Sequence, residues 1–197
     1  MKTKVITLIT FFLLFSYISK GQILKQIFEA ITEEQKKSDA TKSTPKNLIS
    51  QAIIVNSASK ARLSGGKTRE AIKIALPTGT KKWYYRVTVL EVNSTYTYQE
   101  NETFFYLLNN KKYMDNYRPT SEAVDFYILG HSGDVASFTE TGNNNFKAFS
   151  DYTKIGTNSF IGSCTINQEN IWIGIKNPNS MTGLKVIVEV VAWGNYN

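Results

Sequence analysis

Leu76-Pro77-Thr78-Gly79-Thr80-Lys81-Lys82-Trp83-Tyr84-Tyr85-Arg86-Val87-Thr88-Val89-Leu90 is the stretch that decides the fold class. A Pro-Thr-Gly turn signal opens into a run of aromatic and β-branched residues, the composition that suits a pleated, half-buried strand. Strand side chains alternate in direction, so Trp83, Tyr85, Val87 and Val89 share one face and Lys82, Tyr84, Arg86 and Thr88 the other. The first set reads as core. The second reads as facing outward.

The same alternation recurs on both sides of this strand. Ile53 and Val55 share a face of a short strand that begins near Gln51, and Ile72, Ile74 and Leu76 point inward from Ala71 to Leu76 with Lys73 outward. Thr103 to Leu108 suits a strand or a short helix, and Val124, Phe126 and Ile128 alternate again. Gly130 to Asn145 reads as loop, with strands near 146–153 and 158–166. Asn170–Lys176 and Leu184–Ala192 read as a hairpin across the turn residues Asn177–Gly183, setting Ile171, Ile173 and Ile175 against Leu184, Val186, Val188 and Val190. Short strands separated by turn clusters predict a mainly β chain, an antiparallel β-sandwich domain over residues 50–197.

The segment before it reads differently. Lys2 and Lys4 precede an apolar run from Val5 to Ile18, and Ser19-Lys20-Gly21 supplies small residues at the −3 and −1 positions of a cleavage site before Gln22. Residues 1–21 are therefore expected to be a signal peptide, too short in apolar core to anchor the chain. Residues 22–49 divide into an amphipathic helix over 23–35, with Leu24, Ile27, Phe28 and Ile31 at helical spacing, and a polar linker from Lys36 to Lys46. The expected location is outside the cell, in the periplasm or in the cell envelope, with no stable transmembrane span after cleavage.

Charge and cysteine narrow the function classes. The formal net charge is +7, and without Lys2, Lys4 and Lys20 the 23 basic residues become 20 against 16 acidic ones. That mild excess, spread along the chain, is no nucleic-acid signature. Cys164 is the single cysteine, so no internal disulfide forms, and it reads as a small buried side chain.

Several stretches imitate catalytic motifs. Ala61-Arg62-Leu63-Ser64-Gly65-Gly66-Lys67-Thr68 approximates a phosphate-binding loop, but the residues after it read as a strand rather than the required helix, so no nucleotide is expected. Gly130-His131-Ser132-Gly133-Asp134 approximates a nucleophile elbow, with Asp134 standing where the motif needs glycine; it reads as a turn between strands. One His and one Cys exclude the usual zinc sets, and Asp125, Asp134, Glu140 and Asp151 match no dedicated calcium loop. No catalytic set, metal site or cofactor is expected.

The remaining signal is aromatic: 11 Tyr, 11 Phe and 3 Trp. Alternation sends Tyr84, Arg86, Trp172 and Trp193 away from the core, and Tyr84, Arg86 and Trp172 form the expected ligand-binding set. Rings supply contact area at small rotamer cost, and Arg stacks or bridges hydroxyls. Such a set suits an extracellular polysaccharide or an envelope protein partner. A covering helix, with residues 23–35 the first candidate, would bury it instead.

Asp125-Phe126-Tyr127-Ile128-Leu129, followed by Ile171-Trp172-Ile173-Gly174-Ile175-Lys176-Asn177-Pro178 closing on Val186 to Val190, resembles the secreted bacterial pre-peptidase C-terminal (PPC) domains over roughly residues 76–192. The resemblance implies a jelly-roll-like sandwich and an accessory role in which some members bind extracellular polymers. A binding or accessory module is thus the expected function, with a carboxylate-dependent secreted hydrolase or a purely structural envelope protein as alternatives.

Overall fold

The computed structural model describes residues 43–110, 122–140 and 142–196, together with Glu29 and Glu33. The signal peptide expected over 1–21 lies outside them, as does the helix expected over 23–35 apart from those two glutamates. In chain order the elements are β1 (Thr44–Val55), α1 (Ala58–Ser64), β2 (Arg69–Ile74), β3 (Thr80–Glu91), α2 (Phe104–Asn109) and β4 (Val124–Leu129). There follow α3 (Ser132–Thr139), β5 (Lys154–Thr157), β6 (Phe160–Cys164), β7 (Ile171–Lys176) and β8 (Leu184–Gly194).

The described chain is mainly β, in two four-stranded antiparallel sheets ordered β1-β8-β3-β6 and β2-β7-β4-β5. Trp83, Tyr85, Val87 and Val89 of β3 enter one buried cluster with Val186, Val188 and Val190 of β8 and with Ile72, Phe126, Ile128, Ile171 and Ile173 of the second sheet. Tyr85 stacks on Phe126 at 4.9 Å between centroids and meets Phe160 edge-on, so aromatic contacts tie the sheets together. Each such apolar side chain contributes about 1.5–3 kcal/mol on burial. The alternation read from 83 to 89 therefore sorts the core correctly.

Four expectations need correction. β7 and β8 are not a hairpin: β7 pairs with β2 and β4, while β8 pairs with β1 and β3. The Asn177–Gly183 segment instead crosses from one sheet to the other, pinned by buried Asn177, whose Nδ2 donates to Val55 O (3.2 Å) and Thr182 O (2.8 Å). Their apolar faces still meet, now across the core. Second, β1 begins at Thr44, so the boundary at 50 cuts a strand whose first residues pair with β8 from Gly194 to Val190. As an edge strand half open to water, it shows little apolar alternation there, and Pro45 and Lys46 suit an edge.

Third, the segment after Gly130 folds as helix α3 rather than loop or turn. Its start is set by His131, whose Nδ1 accepts from Gly133 N at 3.0 Å, and by Asp134 in the first turn, where a carboxylate suits the helix dipole. Fourth, residues 146–153 carry one bond to the sheet, Phe149 N to Ile128 O at 2.9 Å, before a 3-10 turn at Ser150–Tyr152. The strand itself begins at Lys154.

Candidate functional site

The three predicted ligand-binding residues do not come together. Tyr84 and Arg86 lie on the outer face of the first sheet and Trp172 on the outer face of the second. Tyr84 and Arg86 are also buried, which removes them as an exposed recognition set. The cover is α2. Thr103 caps it by accepting from Tyr106 N, and Phe104 and Leu108, one turn apart, share a face that packs with Tyr84, Ile161, Val191 and Trp193 in a second apolar cluster. Trp193, expected outward, is buried in the same way.

Beside this cluster sits a buried ion pair. Arg86 and Glu189 are register partners on β3 and β8, 1% and 2% exposed, and Arg86 Nε donates to Glu189 Oε2. Glu189 Oε1 accepts from Phe104 N at 2.8 Å, at the first turn of α2, and Arg86 Nη2 donates to Glu102 O at 2.9 Å. The Tyr98 ring lies 3.6 Å from the guanidinium carbon, and its hydroxyl shares a 2.6 Å hydrogen bond with Thr88. Burial raises the Tyr98 pKa above its ordinary value, against the pull of Arg86 and the Thr88 hydrogen bond. The partners named here belong to the fold. The network fastens residues 98–104 and α2 to the sheet, which is a structural task.

The second sheet offers a more open arrangement. Trp172 is half-buried on β7, with exposed Lys73 of the neighbouring strand holding its ammonium 5.7 Å from the ring centroid. Across the β4–β7 ladder Trp172 stands opposite Leu129, and the next residue, Gly130, enters a cleft of about 240 Å³. Its other lining residues are His131, Asp134, Lys147, Ala148, Phe149 and Gln168. Gly130 is required there because a Cβ would lie 2.6 Å from Gln168 Nε2 and 2.9 Å from the Phe149 ring. Gln168 Nε2 donates to Gly130 O (2.9 Å) and Asn170 O (2.6 Å), and Asp134 Oδ1 accepts from Lys147 N (2.8 Å).

The residues lining the cleft thus bring a carboxylate (Asp134), an amide (Gln168), a lysine (Lys147) and an imidazole (His131) together with the Phe149 ring. Because His131 Nδ1 accepts from Gly133, the neutral ring carries its proton on Nε2. This is a hydrogen-bonding array with one apolar wall. Sequence reasoning singled out His131 and Asp134 as a failed catalytic motif and missed Lys147 and Gln168. The signal that could have been used is His131 followed by Asp134 at the helix N3 position, which places both at one helix start.

No protein-family model matches the sequence, and no curated protein matches it.

The other motif-like stretches have plain structural roles. Residues 61–68 run from helix α1 through Gly65 (φ 76°) and Gly66 (φ 98°) into β2, the reverse of the strand–loop–helix order a phosphate-binding loop needs. Asp125 accepts from Lys176 Nζ (3.1 Å) and Gly156 N (3.0 Å), while Glu140 accepts from Asn143 Nδ2. Among the described residues no three His, Cys, Asp or Glu side chains group as metal ligands. No helix of the described residues is long and apolar enough to cross a membrane.

Proposed function

We propose that this chain is a secreted or envelope binding module with a jelly-roll sandwich fold, recognising an extracellular polysaccharide through Trp172 and the cleft beside it. The fold reading rests on strand order. β1-β8-β3-β6 over β2-β7-β4-β5 is the order that two interlocked Greek keys generate, with a shared core between the sheets. Sandwiches of this type include lectin domains. The likeness to PPC domains points the same way, and the leader-like residues 1–21 support export.

The observation that carries the functional reading is the half-buried Trp172, opposite Leu129 and so one residue from a cleft lined by Asp134, Gln168, Lys147 and His131. Sugar rings present an apolar face and an equatorial rim of hydroxyls. An indole ring serves the first, and planar polar groups serve the second. Tyr84 and Arg86 have no part in this reading.

Affinity electrophoresis of the protein in gels containing soluble plant, fungal and bacterial polysaccharides tests it. Retardation in at least one gel is expected, weakened by Trp172→Ala by about 1–3 kcal/mol, the range of a binding hot spot, and reduced by Asp134→Asn. Retardation that neither variant changes removes this site. Polymer shortening without retardation favours the carboxylate-dependent hydrolase, and neither effect with any polymer favours an envelope protein partner or a structural role.

A further inference from the structure

A separate region, at the opposite end of the strands from the cleft, carries features that neither the core nor the proposed recognition site uses. α1 is seven residues long and buries none of its side chains. It is nonetheless held firmly: Ser57 caps it, accepting from Lys60 N at 3.2 Å. Ala58 N donates to Asn179 O (3.2 Å) and Ser59 N to Ser180 O (3.0 Å), joining α1 to the 177–183 crossover. Ser59 Oγ also lies 3.4 Å from Met181 Sδ. The helix is thus built to hold side chains in water, not to fill a core.

Those side chains form a consistent set. Leu63, one turn beyond Ser59 and on the same helix face, is 83% exposed, and Met181 is 78% exposed. They are the two most exposed large hydrophobic residues described, and both stand on this one end. Around them are exposed Lys60, Arg62 and Lys67, and residues 56–68 and 177–183 contain no carboxylate. The acids nearest in chain or ladder lie on strands and include Glu70, paired with Lys67 at 3.3 Å, Asp125, paired with Lys176 at 3.1 Å, and Glu91 at the end of β3.

We propose that α1 and the 177–183 crossover dock this end of the protein on an anionic lipid bilayer. Single exposed apolar residues are ordinary, but two apolar tips on hydrogen-bonded neighbouring segments, with Lys60 and Arg62 on the same short helix as Leu63, have a specific match. At a membrane interface Leu and Met side chains enter the acyl boundary, while Lys and Arg stems lie along it and carry their charges to the phosphates. A polyanionic chain in water would use the cations and leave the apolar tips wet. A protein partner would call for a broad apolar patch or groove, and these tips project singly from a helix and a turn.

The test reads the site itself. Met181→Cys is labelled with a polarity-sensitive dye in the full chain; Cys164 is buried and stays unlabelled. Vesicles of phosphatidylcholine with about 30 mol % phosphatidylglycerol should shift the emission to the blue, and phosphatidylcholine alone should not. Adding Lys60→Gln and Arg62→Gln should weaken the apparent partition about 25-fold, about fivefold per charge. Leu63→Ser should weaken it about tenfold. Salt near 0.5 M should reduce binding further by screening. The proposal is overturned if the label at 181 keeps its emission with anionic vesicles, if the charge variants leave partition unchanged, or if a soluble polyanion gives the shift and vesicles do not. An apolar N-terminal segment binding vesicles on its own would leave the label at 181 in water and so counts against the proposal too.

Discussion

Glu189→Gln is the substitution whose consequence follows most directly from the structure. It keeps the shape of the side chain and removes only the charge, leaving the Arg86 guanidinium 1% exposed with no carboxylate at its Nε. Glu102 O at 2.9 Å and the Tyr98 and Phe104 rings stay beside it, and none of these carries a full charge. Removing one member of a buried ion pair typically costs about 3–5 kcal/mol, mostly from the stranded charge. Against a domain stability of about 5–15 kcal/mol, that is a large fraction. Urea denaturation should show a midpoint shift of this size with an unchanged slope. The double substitution Arg86→Met with Glu189→Gln removes the stranded charge, so it should be less destabilising than Glu189→Gln alone. If the single variant costs under ~1 kcal/mol, or the double variant costs the sum of the two singles, the pair is not acting as a buried unit.

Other outcomes follow from burial and register. Trp83→Ala should cost about 3–5 kcal/mol, because the ring is fully buried and its Nε1 donates to Ile166 O at 2.9 Å; half-buried Trp172→Ala should cost under ~1.5 kcal/mol in the same melts. Cutting the chain before Ser50 should lower stability by at least ~2 kcal/mol relative to cutting before Ser43, since Thr44–Ile49 pair with β8; equal melts would show that the first half of β1 contributes nothing. Burial raises the Cys164 thiol from 9.0 to about 11, against weaker pulls from the Ile166 backbone and Tyr152. Below about pH 9 the thiol is protonated folded and unfolded alike, and its contribution is fully present. Between about pH 9 and about pH 11 the unfolded thiol ionises first, so stability falls as pH rises. The stability gap between the wild type and Cys164→Ala should narrow over that window, and parallel curves would contradict the thiol's burial.

Much of the fold was legible because strand alternation reports which residues share a face. Trp83, Tyr85, Val87 and Val89, with Ile171, Ile173 and Ile175, were sorted onto the core face by that rule alone, and the core contains them. What alternation lacks is information about partners. β7 and β8 are adjacent in sequence, both apolar and joined by turn residues, which is what a hairpin requires; a seven-residue crossover between sheets presents the same pattern. The length of the connection was the unused clue, since tight hairpins close with two to five residues. Helix α3 was hidden by Gly133 and by its polar start, where capping rather than apolar periodicity defines the element.

The candidate site was harder to read for a related reason. Alternation fixed Tyr84 and Arg86 on the face away from the core, which is correct, but a face directed outward from one sheet can still be covered by another element. The decisive signal lay in the charges. Arg86 interrupts a run of aromatic and β-branched residues, and Glu189 interrupts Val186-Ile187-Val188 and Val190-Val191. A charge of each sign in the middle of the otherwise uncharged runs 83–90 and 186–192 is poorly suited to a free ligand surface and well suited to a pair set opposite each other in neighbouring strands. Had that pairing been inferred, both strands would have been placed side by side with both faces buried, and β7 moved to the other sheet. Trp172 carries no charge, and its ladder partners are Leu129 on one side and Lys73, whose ammonium lies 5.7 Å from the ring centroid, on the other. That asymmetry, a charge pair buried beneath a helix and a half-buried indole ring on the other sheet, separates the residues that fasten this fold from the one on which the proposed recognition rests.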